Sequence, residues 1–206
     1  ATGNASFTYN TSAQGPNTAT VTGSTGAVTY SYAGTGTTSY GPLTTRPANA
    51  GTYEVIATVA ADANYLGASS SALAFTINKA NSTISVNGLA TYAYTGAEVG
   101  PVASTVTGSS GTVTYSYEGT GATTYGPSAI RPTEVGTYTA IATVEADANY
   151  NEATSSAFPF SITSVAVPVI TSSLTASATY GVEASTYTIT ADNAPTSFDA
   201  INLPAG

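Results

Sequence analysis

Apolar and polar residues alternate along much of this chain, in short runs bounded by Gly, Asn, Ser and Pro. Across 112–119, Val113, Tyr115 and Tyr117 share one face, and Thr114 and Ser116 share the other. A period of two marks a half-buried strand. The same alternation sets Tyr138, Ala140, Ala142 and Val144 in step through 136–146, with Ile141 opposed. It sets Phe158, Phe160 and Ile162 in step through 155–162. Shorter stretches predict strands at 82–86, ended by Asn87-Gly88, at 89–96, with Tyr92 and Tyr94 on one face, and at 103–108. Nothing holds a helical period beyond one turn, although 145–153 (EADANYNEA) is expected to form such a turn. Pro159 has no amide to give to a ladder and is expected at a strand edge or bulge.

The pattern occurs twice. Residues 15–77 align with 100–162 at a constant offset of 85, without a gap, and 40 of the 63 positions are identical. "TVTGSTGAVTYSYAGTGTTSYGP" recurs as "TVTGSSGTVTYSYEGTGATTYGP". At that offset residue 1 falls on residue 86, so the first copy is expected to open inside a strand. From Val165 the pattern changes. The expected organisation is a β-sandwich repeat at 1–79 with its first strand partly missing, a second at 80–164, and a partial Ig-like domain at 165–206. Six or seven short strands per copy imply an all-β fold: tandem Ig-like sandwiches arranged as a rod, the last one incomplete. Tyr53 and Tyr138 follow Gly-Thr at the start of the penultimate strand. That is the place of a tyrosine corner, which gives both a structural role.

Composition sharpens this picture. Only 7% of residues are charged, and the chain has 15 Tyr but no Trp, Met, Cys or His. Abundant Thr, Val and Tyr favour strands over disorder. The net charge of −8, with three basic residues (Arg46, Lys79 and Arg131), excludes a nucleic-acid footprint. No apolar run is long enough to insert in a membrane as a helix. Without disulfides, sheet packing alone must hold the fold.

The candidate chemistry is sparse. Gly34-Thr35-Gly36 and Gly119-Thr120-Gly121 lack the lysine and following helix of a phosphate cradle, and read as turns. With no histidine, and with no acid but Asp62/Asp147 recurring in both copies, no catalytic residue is expected and the chain is not read as an enzyme. Asp62 and Asp147 are expected to cap the turn before Asn64 and Asn149. Calcium is the one cation weighed, through Glu145, Asp147 and Glu152 beside Asn149. Repeat one has Ala60 and Gly67 in place of the glutamates, so a structural cap is preferred and no cofactor is assigned. Arg46 and Arg131 are expected to pack their stems on tyrosine and bond loop carbonyls. Exposed tyrosine rows could stack on sugars, but most of these tyrosines recur where the core must be filled.

The words "VTYSY", "YGP", "RPxxxGTYxxxATVxADANY" and "SSAxxFxI" resemble the tandem MBG-type (YGX-type) repeats of bacterial surface proteins, over about residues 1–163. The remainder, with "PTSF" and "LPAG", is similar to the first half of an Ig-like domain of such proteins. The resemblance implies an extracellular, cell-surface location and no catalytic or ligand residues. The expected function is a structural module of an adhesin stalk or filament, spacing or polymerising. Its partners are neighbouring domains and, through incomplete terminal domains, further copies of itself. The alternative is an adhesive module that binds carbohydrate directly.

Overall fold

Twelve strands build the part of the chain that the computed structural model describes, residues 1–166 together with 169, 171 and 190. The partial domain expected at 165–206 lies outside the described residues apart from those positions. In the first unit β1 (Ser6–Thr8), β2 (Val28–Gly34), β3 (Gly51–Val59), β4 (Ala68–Ser69) and β5 (Leu73–Asn78) form one sheet, in the order β1-β5-β3-β2 with β4 on β3. In the second unit β7 (Thr91–Ala93), β9 (Val113–Gly119), β10 (Gly136–Val144), β11 (Ala153–Thr154) and β12 (Phe158–Thr163) repeat that sheet, and β6 (Thr83–Asn87) pairs with β8 (Ala103–Thr107). The described residues contain no helix.

The offset of 85 carries through to the hydrogen-bond register. Ser31 opposes Ile56 on β2 and β3, and Ser116 opposes Ile141 on β9 and β10. Ser6 opposes Thr76 in the parallel pair β1–β5, and Thr91 opposes Ser161 in β7–β12. Because side chains alternate faces, a slip of one residue would turn the whole apolar set outward, so register and core specify each other.

The core follows the period of two. On β10, Tyr138 is 1% exposed and Ala140, Ala142 and Val144 are 0% exposed. β6 lays Ile84 and Val86 over them, so the second unit is a sandwich of two sheets around one core. The aromatic centre of each unit is a phenylalanine. Phe160 lies 5.4 Å from Tyr138, nearly parallel, and meets Tyr117 and Tyr92 edge-on. Phe75 does the same with Tyr53, Tyr32 and Phe7. Each fully buried tyrosine sends its hydroxyl to a main-chain carbonyl: Tyr32 to Pro16, Tyr53 to Asn49, Tyr117 to Pro101 and Tyr138 to Glu134. Burial raises the pKa of all four phenols, which keeps them as donors.

Pro159 opposes Thr139 within the ladder, yet the Ser161 amide points to Ala90 on the β7 side. Two residues earlier the chain faces the same way, before β7 has begun, so the missing amide of Pro159 falls on a local edge. Two expectations change. Residues 145–153 form no helical turn, because the Asp147 carboxylate captures the amides that a helix would use. Tyr94 lies beyond the end of β7 and is 37% exposed, so it does not share the half-buried position of Tyr92.

Removing the aromatic centre should cost the most. Phe160→Ala is expected to lower unfolding free energy by about 3–5 kcal/mol in a denaturant titration. Tyr138→Phe, which leaves the Glu134 carbonyl without its donor, should cost about 1 kcal/mol. A loss below about 1 kcal/mol for Phe160→Ala would contradict the assignment of Phe160 as the hub of the second core.

Candidate functional site

The Gly-Thr-Gly segments are structural. The Gly34 amide donates to Tyr40 and the Thr35 amide to Thr52, so neither can serve an anion. A Cβ on Gly34 would stand 2.1 Å from the Thr38 carbonyl oxygen, and Gly36 has φ of +61°. Both glycines are therefore required by the turn that folds residues 37–43 back on β2. Gly119 and Gly121 repeat this geometry.

Chemistry concentrates instead at the loop after β10 and at its counterpart after β3. Asp147 Oδ1 accepts the amides of Asn149 and Tyr150, both at 2.8 Å, while Oδ2 accepts the Ser110 amide at 2.9 Å and its hydroxyl at 3.0 Å. Asp62 does the same with Asn64, Tyr65 and Thr25. Backbone amides that bond only the charged form hold both carboxyls at a pKa of about 2, against an ordinary 3.8. The donors fill both oxygens of Asp147. Among the described residues, no three acidic side chains gather where they could hold a metal ion, so Glu145, Asp147 and Glu152 are not brought together as ligands.

The clamped loop of the second unit reaches the first. Asn149 Oδ1 accepts the Ala50 amide at 2.9 Å, its Nδ2 donates to Asn49 Oδ1 at 3.3 Å, and its carbonyl accepts the Ala80 amide at 2.9 Å. Lys79 Nζ donates to the Asp147 carbonyl, and the Tyr150 ring meets Tyr9 edge-on at 5.2 Å. The Asn151 amide returns to the Ala80 carbonyl at 2.8 Å. Ala148 also lines a cleft of about 520 Å³ beside Asn49, Ala50 and Lys79. One loop thus fixes its own shape through Asp147 and grips the neighbouring unit through Asn149 and Tyr150.

The remaining predicted residues lie elsewhere. The hydroxyls of Tyr53 and Tyr138 tie the ends of β3 and β10 to carbonyls four residues upstream. Arg46 and Arg131 lie close enough to the buried Tyr32 and Tyr117 to act on them electrostatically, but among the described residues no hydrogen bond joins either guanidinium to a loop carbonyl, which departs from that part of the expectation. Arg131 Nε faces Glu98 at 3.8 Å, and Arg46 is exposed, because Ala13 stands at the position of Glu98 in the first unit. Sequence reasoning did not single out Tyr9, Asn49 or Ala50. Asn49 carried no signal, since its counterpart is Glu134, and the Ala50 contribution is a main-chain amide that any residue but proline would supply.

Among family models, residues 2–81 match the MBG domain. No curated protein and no solved structure matches the chain. No helix of the described residues is long and apolar enough to cross a membrane.

The folded pKa of Asp147 lies below its unfolded value. Its contribution to stability is therefore complete above the unfolded pKa and is lost as pH falls through the folded one. The gap in denaturation midpoint between the natural chain and Asp147→Asn should be constant above about pH 5 and should close towards about pH 2. A gap that does not change with pH would contradict the clamp. Asn149→Ala should speed hydrogen exchange of the Ala50 amide by roughly tenfold, the equivalent of one lost hydrogen bond. It should leave the Tyr138 amide unchanged, as read by NMR.

Proposed function

With residues 2–81 an MBG-type repeat, and MBG domains occurring as repeat modules of surface proteins, we propose that this chain is a non-catalytic structural module. It spaces or polymerises within a large bacterial extracellular protein, in an adhesin stalk or surface filament. One observation carries the reading: the polar side chains of the clamped loop are used to hold the adjacent repeat. Across the boundary Asn149 engages the Ala50 amide and Asn49 Oδ1, and Lys79 caps the Asp147 carbonyl. The linker is also short. β5 ends at Asn78 and β6 begins at Thr83, and the residues between are bonded to the second unit. A short, hydrogen-bonded linker restricts hinge motion, which suits a module that projects something else.

The aromatic side chains support a spacer over a sugar-binding face. Tyr32, Tyr53, Tyr117 and Tyr138 are buried in the cores. Among the described residues, Tyr65 and Tyr94 are the exposed tyrosines; they lie on separate units and form no row. The reading calls for no cofactor and no catalytic group.

The purified chain should show no saturable binding in the micromolar range or tighter on a glycan array or to a panel of matrix proteins. A defined glycan held at that affinity, with binding lost in Tyr65→Ala or Tyr94→Ala, would replace the spacer with the adhesive module.

A further inference from the structure

The basic side chains of the sequence are Arg46, Lys79 and Arg131, so a Lys/Arg-specific endoprotease meets three candidate bonds. Two of them are closed to it. Arg46 precedes Pro47 and Arg131 precedes Pro132. Proline brings no N–H to the far side of the bond, its ring crowds the backbone before it, and both prolines are fully buried. The third bond, Lys79–Ala80, falls between the two cores, since β5 ends at Asn78 and β6 begins at Thr83. A cut there leaves β1 to β5 on one side and β6 to β12 on the other, with no strand divided.

Lys79 is exposed, but the main chain around it is already bonded. Upstream, the Asn78 carbonyl accepts the Tyr9 amide at 2.8 Å, and Asn78 Nδ2 donates to the Phe7 carbonyl at 3.0 Å. Downstream, the Ala80 amide donates to the Asn149 carbonyl at 2.9 Å, and the Ala80 carbonyl accepts the Asn151 amide at 2.8 Å. Asn81 Oδ1 accepts from Asn151 Nδ2 at 3.0 Å, and the Ser82 hydroxyl donates to the Asn151 carbonyl at 2.7 Å. Lys79 Nζ itself donates to the Asp147 carbonyl. An endoprotease takes its substrate as an extended strand and bonds the main chain on both sides of the scissile bond. Here the groups it needs are held by Tyr9 on one side and by the clamped loop on the other, so exposure of the side chain is not enough.

We propose that Lys79–Ala80 is a conditional processing site for a Lys/Arg-specific endoprotease, closed while the loop after β10 docks on it and open when that loop lets go. Hydrolysis adds the oxygen of water to the Lys79 carbonyl carbon and breaks the bond to the Ala80 nitrogen, which takes both protons. Lys79 ends as a carboxylate and Ala80 as an ammonium. Asp147 governs the site from a distance: its side chain gives residues 148–150 their course, and their main chain holds Ala80. A chain with its junction closed thus survives a protease that divides one whose junction has opened. The site does not rest on the spacer reading, since an adhesive chain with this junction would carry it equally.

The test is digestion of the full chain by trypsin under native conditions, with products identified by mass. The N-acetylated, C-amidated peptide of residues 76–83 serves as the unprotected reference. The natural chain should be cut at Lys79 alone and about a hundredfold more slowly than the peptide, because two main-chain bonds of Ala80 must open and each is worth roughly tenfold. Where reclosing outruns cleavage, the rate follows the population of the open junction. Asn149→Ala should therefore be cut about tenfold faster than the natural chain, and Asp147→Asn faster still. In Asn149→Ala, hydrogen exchange of the Ala80 amide should rise with the cutting rate while the Tyr138 amide keeps its natural rate. That contrast separates opening of the junction from unfolding of the second unit. A natural chain cut as fast as the peptide, first cuts at Arg46 or Arg131, or variants cut no faster than the natural chain would overturn the proposal. So would a cutting rate that follows the Tyr138 amide instead of the Ala80 amide. None of these outcomes would bear on the glycan array.

Discussion

The carboxylate of Asp147 is the interaction on which the rest of the junction depends. Four donors converge on its two oxygens, from the amides of Asn149 and Tyr150 and from both groups of Ser110. Those bonds link the loop after β10 to the turn before β9 and give residues 148–150 a single course. Only then can Asn149 present its side-chain oxygen and amide to Ala50 and Asn49 of the first unit and its carbonyl to Ala80 at the start of the second. Each of these bonds is modest by itself. Their number on one pre-shaped loop matters more, because the entropy of ordering the loop is met within the unit and need not be met again at the boundary.

A second constraint comes from composition. In a chain without Trp or Met and with few Leu, tyrosine must fill much of each core. A buried phenol needs an acceptor, and these four find theirs in the carbonyls of Pro16, Asn49, Pro101 and Glu134. Packing the core and pinning the loops are therefore one event. Phe75 and Phe160 stand at the centre of each ring cluster. The Asn49 carbonyl that receives Tyr53 belongs to the residue whose side chain meets Asn149, and Tyr9, packed on the same core, meets Tyr150, so two residues join the first core to the junction.

The strands were legible wherever one face is buried. Tyr138, Ala140, Ala142 and Val144 stand on the core face of β10, and Phe160 and Ile162 on that of β12, because a period of two has one solution against a core. Loop chemistry was harder to read. Glu-Ala-Asp-Ala-Asn-Tyr has residues a helix accepts, but an Asp that bonds the amides two and three places ahead competes with the helical ladder, and here it prevails. Long-range polar partners left no local trace. Nothing near Arg131 announces Glu98, and nothing near Asn49 announces Asn149.

The two units thus share one sheet in register and one clamped loop. The loop of the second unit makes the boundary a bonded surface, and the central claim is that it holds the two units in one orientation. Residual dipolar couplings measured on backbone amides of both units would test this directly. A single alignment tensor should fit the couplings of β2, β3 and β5 together with those of β9, β10 and β12. Two tensors of different magnitude, one for each unit, would show that the units move independently and would contradict the account.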